Sequence, residues 1–168
     1  KSPNFNIRKK KDKINYIIIH YTALKDDLEA LKHLTDKKNK VSSHFFISKK
    51  GRIYNLVSID KRAWHAGISF WKGLKDLNSE SIGIELDNNG SENFKIQQVD
   101  SLITLIRYLS KKYSINQNNI LGHSDISPYR KIDPGKKFPW IQIQKRRLVF
   151  LPKKIDEKKF IELEKKLK

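Results

Sequence analysis

The chain has 168 residues and no cysteine, which excludes disulfides, iron–sulfur clusters and thiolate zinc sites. It fits one domain able to bury its own core, and no apolar run is long enough to cross a bilayer. Lys and Arg number 36 against 18 Asp and Glu, a net charge of +18 that draws polyanions such as nucleic acid, anionic lipid or a carboxylate-bearing wall polymer. The basic residues lie in scattered pairs and two end clusters, 8–13 and 153–168. They do not interleave with aromatics along one stripe, so nucleic acid is not expected as a partner.

Residues 1–13 read as a loosely held basic arm. Residues 14–20 are a nearly unbroken β-branched run, which reads as a buried strand ending on His20. Asp26 or Asp27 caps a helix through about Asp36, with Leu28, Leu31 and Leu34 spaced by threes. Residues 43–48 and 52–57 form a hairpin around Lys49-Lys50-Gly51. Residues 61–78 are loop-rich and hold Trp64 and Trp71. Residues 81–86 are a further strand, followed by a turn at Asn88-Asn89-Gly90. Val99, Leu102, Ile103, Leu105, Ile106 and Leu109 give residues 97–113 a helical period. Residues 119–121 form a short strand. Residues 140–150 are open between helix and strand, and 156–167 read as a charged C-terminal helix with a thin apolar face. Strands and helices mixed with one hairpin predict an α/β architecture, a mixed central sheet flanked by helices. The domain spans residues 14–150, with the charged helix of 151–168 packed on it or trailing it.

Ligand sites in open α/β sheets gather at the carboxyl ends of strands. His20 ends the first strand and His123 follows the last. On the strand 81–86, Gly83 and Glu85 share one face while Ile82, Ile84 and Leu86 share the other. The missing side chain at Gly83 leaves room for something to approach. Lys131 and Asp133, two apart in the turn-rich loop after His123, aim at one place. Two imidazoles and one carboxylate with a fourth position left to water form a catalytic zinc site, and zinc brings bound water to a pKa of about 7. A glutamate outside the ligand set can take the water's proton and hand it to a leaving amine. A lysine can neutralise the oxyanion of a tetrahedral intermediate. His20, His123, Asp133, Glu85 and Lys131 thus describe zinc-assisted hydrolysis of an amide. Asp125 is a rival ligand, although its tight spacing from His123 suits a loop-orienting role better. His44 reads as a buried, hydrogen-bonded residue and His33 as a surface one. Trp64 and His65 sit in a loop that overhangs the cleft and are candidate substrate contacts.

Five segments carry a resemblance to a known family: Ile18-Ile19-His20-Tyr21-Thr22-Ala23, Val41-Ser42-Ser43-His44, Ala63-Trp64-His65-Ala66-Gly67, Ser81-Ile82-Gly83-Ile84-Glu85-Leu86, and Gly122-His123-Ser124-Asp125-Ile126 through Arg130-Lys131-Ile132-Asp133-Pro134-Gly135. In colinear order over about residues 14–145, they resemble the zinc-dependent N-acetylmuramoyl-L-alanine amidases, the superfamily of the AmpD and AmiD enzymes and the peptidoglycan recognition proteins. Leu34-Thr35-Asp36-Lys37 and Trp64-His65-Ala66-Gly67-Ile68-Ser69 look closer to AmiD. The resemblance implies cleavage of the amide between N-acetylmuramic acid, or its 1,6-anhydro form, and L-alanine, in cell-wall turnover. It implies zinc on His20, His123 and Asp133, Glu85 as base then acid, Lys131 on the oxyanion, and peptidoglycan or muropeptide as the partner. The alternative is a peptidoglycan-binding recognition domain without catalysis. The full set of ligands with Glu85 and Lys131 argues for the enzyme. A missing first methionine and the basic arm point to the cell envelope or periplasm, with the cytoplasm as the alternative, and a monomer is expected.

Overall fold

The computed structural model describes residues 1–9 and 13–151. The elements run β1 (Phe5–Ile7), β2 (Tyr16–Tyr21), α1 (Asp27–Thr35), β3 (Phe45–Ile47), β4 (Ile53–Asn55), β5 (Lys61–Ala63), α2 (Leu77–Glu80), β6 (Ser81–Leu86), α3 (Ile96–Tyr113), β7 (Ile120–Gly122), α4 (His123–Ile126) and α5 (Trp140–Lys145). A five-stranded mixed sheet in the order β4-β3-β6-β2-β7 forms the centre, and β1 pairs with β5 in a separate two-stranded ribbon. The α/β expectation therefore holds. β2, β6 and β7 are parallel neighbours, which puts their carboxyl ends on one edge of the sheet.

The two faces of the sheet differ because side chains alternate along each strand. Ile17 and Ile19 of β2 and Ile82, Ile84 and Leu86 of β6 pack on one face against Leu102, Ile106 and Leu109 of α3. Each such fully buried aliphatic side chain stabilises the fold by roughly 1.5–3 kcal/mol. On the other face Tyr16 and Ile18 meet Leu77, Leu121 and Ile126. Beside them Phe46 packs under Ala30 and Leu34 of α1. Asp26 caps α1, its Oδ1 accepting from the Glu29 amide at 2.9 Å. The inner side of α1 is Ala30 and Leu34, four apart, and Leu28 points to solvent. The period of 3.6 residues carries a by-threes series off the buried face.

The basic arm is not loose where the structure describes it. β1 pairs antiparallel with β5, Phe5 opposite Ala63, and Ser2 and Asn4 are buried. The Arg8 guanidinium donates to the carbonyls of Ile59, Asn78, Ser79 and Ser81 at 2.6–3.0 Å. It thereby satisfies acceptors that the short helix α2 leaves open at its end. The segment 61–78, read as loop-rich, contains β5 and the start of α2; a three-residue strand paired with the arm leaves little signal in sequence. Residues 140–150 resolve into α5 and a segment whose Val149 joins the core. The C-terminal helix expected at 156–167 lies outside the described residues.

Candidate active site

β2 and β6 are in register His20 to Glu85, so the imidazole and the carboxyl are direct neighbours on the face opposite α3. Leu121 of β7 pairs with Ile18, which puts His123, two residues on, in phase with His20. Asp133 is brought in by its loop. The Ser124 amide donates to the Asp133 carbonyl at 2.8 Å, and Pro134 lies over Gly122, where a Cβ would stand 2.6 Å from the proline Cδ. Glycine at position 122 is what allows the loop to seat this closely.

Three ligand atoms converge. His20 Nδ1 lies 3.0 Å from His123 Nδ1 and 3.1 Å from Asp133 Oδ2, and His123 Nδ1 is 3.0 Å from that same oxygen. Among the described residues these three side chains form the cluster able to hold a metal ion, and all three are buried. Hydrogen bonding decides which imidazole nitrogens face inward. His123 Nε2 is 3.0 Å from the Ala66 carbonyl, which can only accept, so Nε2 carries the proton and Nδ1 presents a lone pair. His20 Nε2 is 3.0 Å from His65 Nδ1, and His65 Nε2 is 3.2 Å from Ser81 Oγ. The Ser81 hydroxyl donates to the Leu77 carbonyl. Its oxygen must then accept from His65 Nε2–H, which leaves His65 Nδ1 to accept from His20 Nε2–H. His20 Nδ1 is therefore also a lone pair. Two lone pairs and a carboxylate oxygen at contact distance repel one another unless a cation sits between them. Two nitrogens and one oxygen, with the remaining imidazole N–H groups each donating to a fixed acceptor, fit a zinc ion.

Burial sets the protonation states. It holds His20 at a pKa of about 4, against the Asp133 carboxylate, which pulls the other way. His65 is held well below the usual histidine range, first by burial and then by His20. His20 is therefore neutral at pH 7, the state that binds metal. Glu85 is 8% exposed, and its Oε2 has no hydrogen-bond partner among the described residues. Burial pushes its carboxyl up to about 8, the Asp133 charge adds to this, and Lys131 opposes it. Lys131 lines the same cleft, of about 290 Å³, with Tyr21, Thr22, Leu24, Val41, Ile132 and Arg130.

The other sequence expectations divide. His44 is fully buried, its Nδ1 accepting from the Gly83 amide at 3.0 Å and its Nε2 3.0 Å from the Lys61 carbonyl. His33 is exposed at the cleft mouth. Asp125 is outside the cluster; its Oδ2 accepts from the Gly122 amide at 2.7 Å and caps α4. Trp64 does not overhang the cleft. Its indole N–H is turned away to Asn6 Oδ1 at 2.5 Å, drawn by the same ribbon that docks the arm. His65 reaches the cleft floor beneath His20, 5% exposed, with both ring nitrogens already engaged, so it has no polar atom free for a substrate. Sequence reasoning missed Asn78, whose Oδ1 accepts from the amides of His65 and Ala66 at 2.9 and 2.8 Å. It also gave no role to Arg130, whose Nη2 donates to the carbonyls of Ala66 and Ile68, both at 2.8 Å. No local pattern announces either role.

The chain, a mixed sheet with this polar cluster at its carboxyl edge, belongs to the Amidase_2 family, N-acetylmuramoyl-L-alanine amidase, which it matches over residues 10–136. Among its relatives is N-acetylmuramoyl-L-alanine amidase AmiD of Escherichia coli K12, 42% identical in an alignment of 148 positions that covers 78% of this chain and 52% of AmiD. Another is 1,6-anhydro-N-acetylmuramyl-L-alanine amidase AmpD of Haemophilus influenzae, 35% identical over 83% of this chain and 85% of AmpD. The solved structure of the complex of E. coli AmiD with the substrate anhydro-N-acetylmuramic acid-L-Ala-D-gamma-Glu-L-Lys is similar, with a TM-score of 0.78 at 38% identity, over 87% of this chain and 63% of that one. The chain thus spans about half the length of AmiD. Among the described residues no helix is long and apolar enough to cross a membrane.

Proposed function

We propose that this protein is a zinc-dependent amidase that cleaves the bond between N-acetylmuramic acid, or its 1,6-anhydro form, and L-alanine in peptidoglycan or muropeptides. The observation that carries the reading is the convergence of His20 Nδ1, His123 Nδ1 and Asp133 Oδ2 at 3.0–3.1 Å, beside a buried Glu85 whose Oε2 has no hydrogen-bond partner among the described residues. His20, His123 and Asp133 would hold the ion, whose chemistry is that of a Lewis acid making water nucleophilic near neutral pH. Glu85, buried beside the cluster, would accept the water's proton and return it to the nitrogen of the departing L-alanine. The Lys131 ammonium faces the charge that develops on the carbonyl oxygen, a contribution of roughly 3 kcal/mol by analogy with an oxyanion-hole donor. The names of the AmiD and AmpD relatives support the bond assigned here. The net charge of +18 supports a polyanionic wall as the larger partner and the cell envelope as the place of action.

The test combines metal analysis of the purified protein with digestion of a 1,6-anhydro muropeptide and of insoluble sacculi. One zinc per chain and release of a peptide beginning with free L-alanine are expected, read by mass. A metal-loaded protein that binds muropeptide but releases no peptide would establish the recognition domain instead.

A further inference from the structure

The dipeptide His65-Ala66 reaches both imidazoles of the cluster at once. The His65 ring accepts from His20 Nε2–H at 3.0 Å, and the Ala66 carbonyl accepts from His123 Nε2–H at 3.0 Å. The dipeptide is itself fixed on every side. Both of its amides donate to Asn78 Oδ1, Arg130 Nη2 donates to the Ala66 carbonyl at 2.8 Å, and His65 Nε2–H is received by Ser81. Gly83 makes the approach possible: a Cβ there would lie 2.4 Å from His65 Cγ and 2.6 Å from its Nδ1. The space that glycine opens beside Glu85 is filled by this ring, not by a ligand.

We propose that His65-Ala66 is a bracket that sets the tautomer and direction of both metal-binding imidazoles, with His65 a positioning residue that never touches substrate. The proposal rests on the metal-site reading above and adds to it a direction of proton donation. The run is His20 Nε2–H to His65 Nδ1, His65 Nε2–H to Ser81 Oγ, and Ser81 Oγ–H to the Leu77 carbonyl. Every donor in this run has one acceptor, and reversing any link leaves the Leu77 carbonyl facing a lone pair. Partners of this kind hold metal-bound imidazoles in place, and their loss typically lowers metal affinity about 10–100-fold.

The test uses His65→Leu, His65→Asn and Ser81→Ala in the full chain, with zinc affinity measured by competition against a chelator. His65→Leu removes the acceptor, and an affinity loss of about 10–100-fold is expected. His65→Asn restores an acceptor oxygen close to the lost Nδ1 and should recover most of that loss, which a purely space-filling role would not allow. Ser81→Ala leaves the ring in place and should give a smaller loss, which keeps the proposal testable where a His65 variant folds poorly. With zinc saturating, muropeptide kcat should fall in His65→Leu while KM stays within about twofold. Nitrogen-15 NMR of the zinc-loaded wild type should find the His65 proton on Nε2. A proton on Nδ1, wild-type zinc affinity in His65→Leu, or a KM effect without a kcat effect would each overturn the proposal. Failure of the wild type itself to bind zinc would instead refute the metal-site reading, so the two failures are distinct.

Discussion

The two faces of the central sheet are written by the same two strands yet obey opposite rules. Toward α3, β2 and β6 present Ile17, Ile19, Ile82, Ile84 and Leu86, all fully buried and all apolar. Toward the cleft they present His20 and Glu85, also buried. Burial on the first face stabilises; on the second it strips solvent from ionisable groups, holding His20 near 4 and lifting Glu85 to about 8. A one-residue step along a strand thus separates what keeps the chain folded from what makes it reactive.

The largest effects should come from the cleft face, in activity and not in folding. His20→Ala, His123→Ala and Asp133→Ala should each abolish stoichiometric zinc and reduce amide cleavage to background, while circular dichroism stays that of the folded chain; zinc retained one-to-one by Asp133→Ala would remove that carboxylate from the ligand set. Glu85→Ala should keep its zinc and its affinity for muropeptide yet lose about 2–4 orders of magnitude in rate. Near-normal turnover in that variant would reassign the proton transfer.

The α3 face should show the converse. Ile84→Ala, one position from Glu85, removes a fully buried side chain and should lower unfolding free energy by about 2–5 kcal/mol in denaturant titrations. Activity per folded molecule should stay near wild type at low temperature. A large kcat loss there would mean that the two faces are coupled.

A smaller and pH-dependent effect follows from Glu85 in zinc-free protein. Its folded pKa is raised from 4.5 to about 8, so the unfolded chain ionises first and stability falls by about 1.4 kcal/mol per pH unit between those values. Glu85→Gln cannot ionise. Its melting temperature should therefore exceed that of wild type by a margin that is negligible at pH 4 and grows up to pH 8. A margin independent of pH would show that Glu85 ionises in the fold as readily as in the unfolded chain. The smallest effect concerns the surface outside both faces: if the charge of +18 serves wall binding, sedimentation with sacculi should weaken as salt rises. Turnover of a small muropeptide should respond to salt much less, and binding indifferent to salt would leave the lysine excess without that role.

Strand positions were legible because they rest on local periods. The run 81–86 shows its apolar face and its Gly83–Glu85 face in six letters, and the structure returns the same six residues as β6. The long helix and the capping aspartate of α1 were readable for the same reason. His65 was legible as a residue near the cleft but not in its task, because its partners Gly83, Ser81 and His20 lie on two strands that only the sheet register brings beneath it. Trp64 faced away from its expected place because Asn6, on a strand too short to show in sequence, takes its N–H.

The sequence by itself determined the types of the longer elements, the α/β class and the appearance of His20, His123, Asp133, Glu85 and Lys131 at strand ends or in one loop, since alternation and turn chemistry are properties of a few adjacent residues. Only the tertiary structure decided which imidazole nitrogens face inward, which loop supports them and where the N-terminal arm docks. Those outcomes depend on hydrogen bonds between residues as far apart as His20 and His65, or Arg8 and Ser81, and a buried donor takes whichever acceptor the packing of distant segments sets before it.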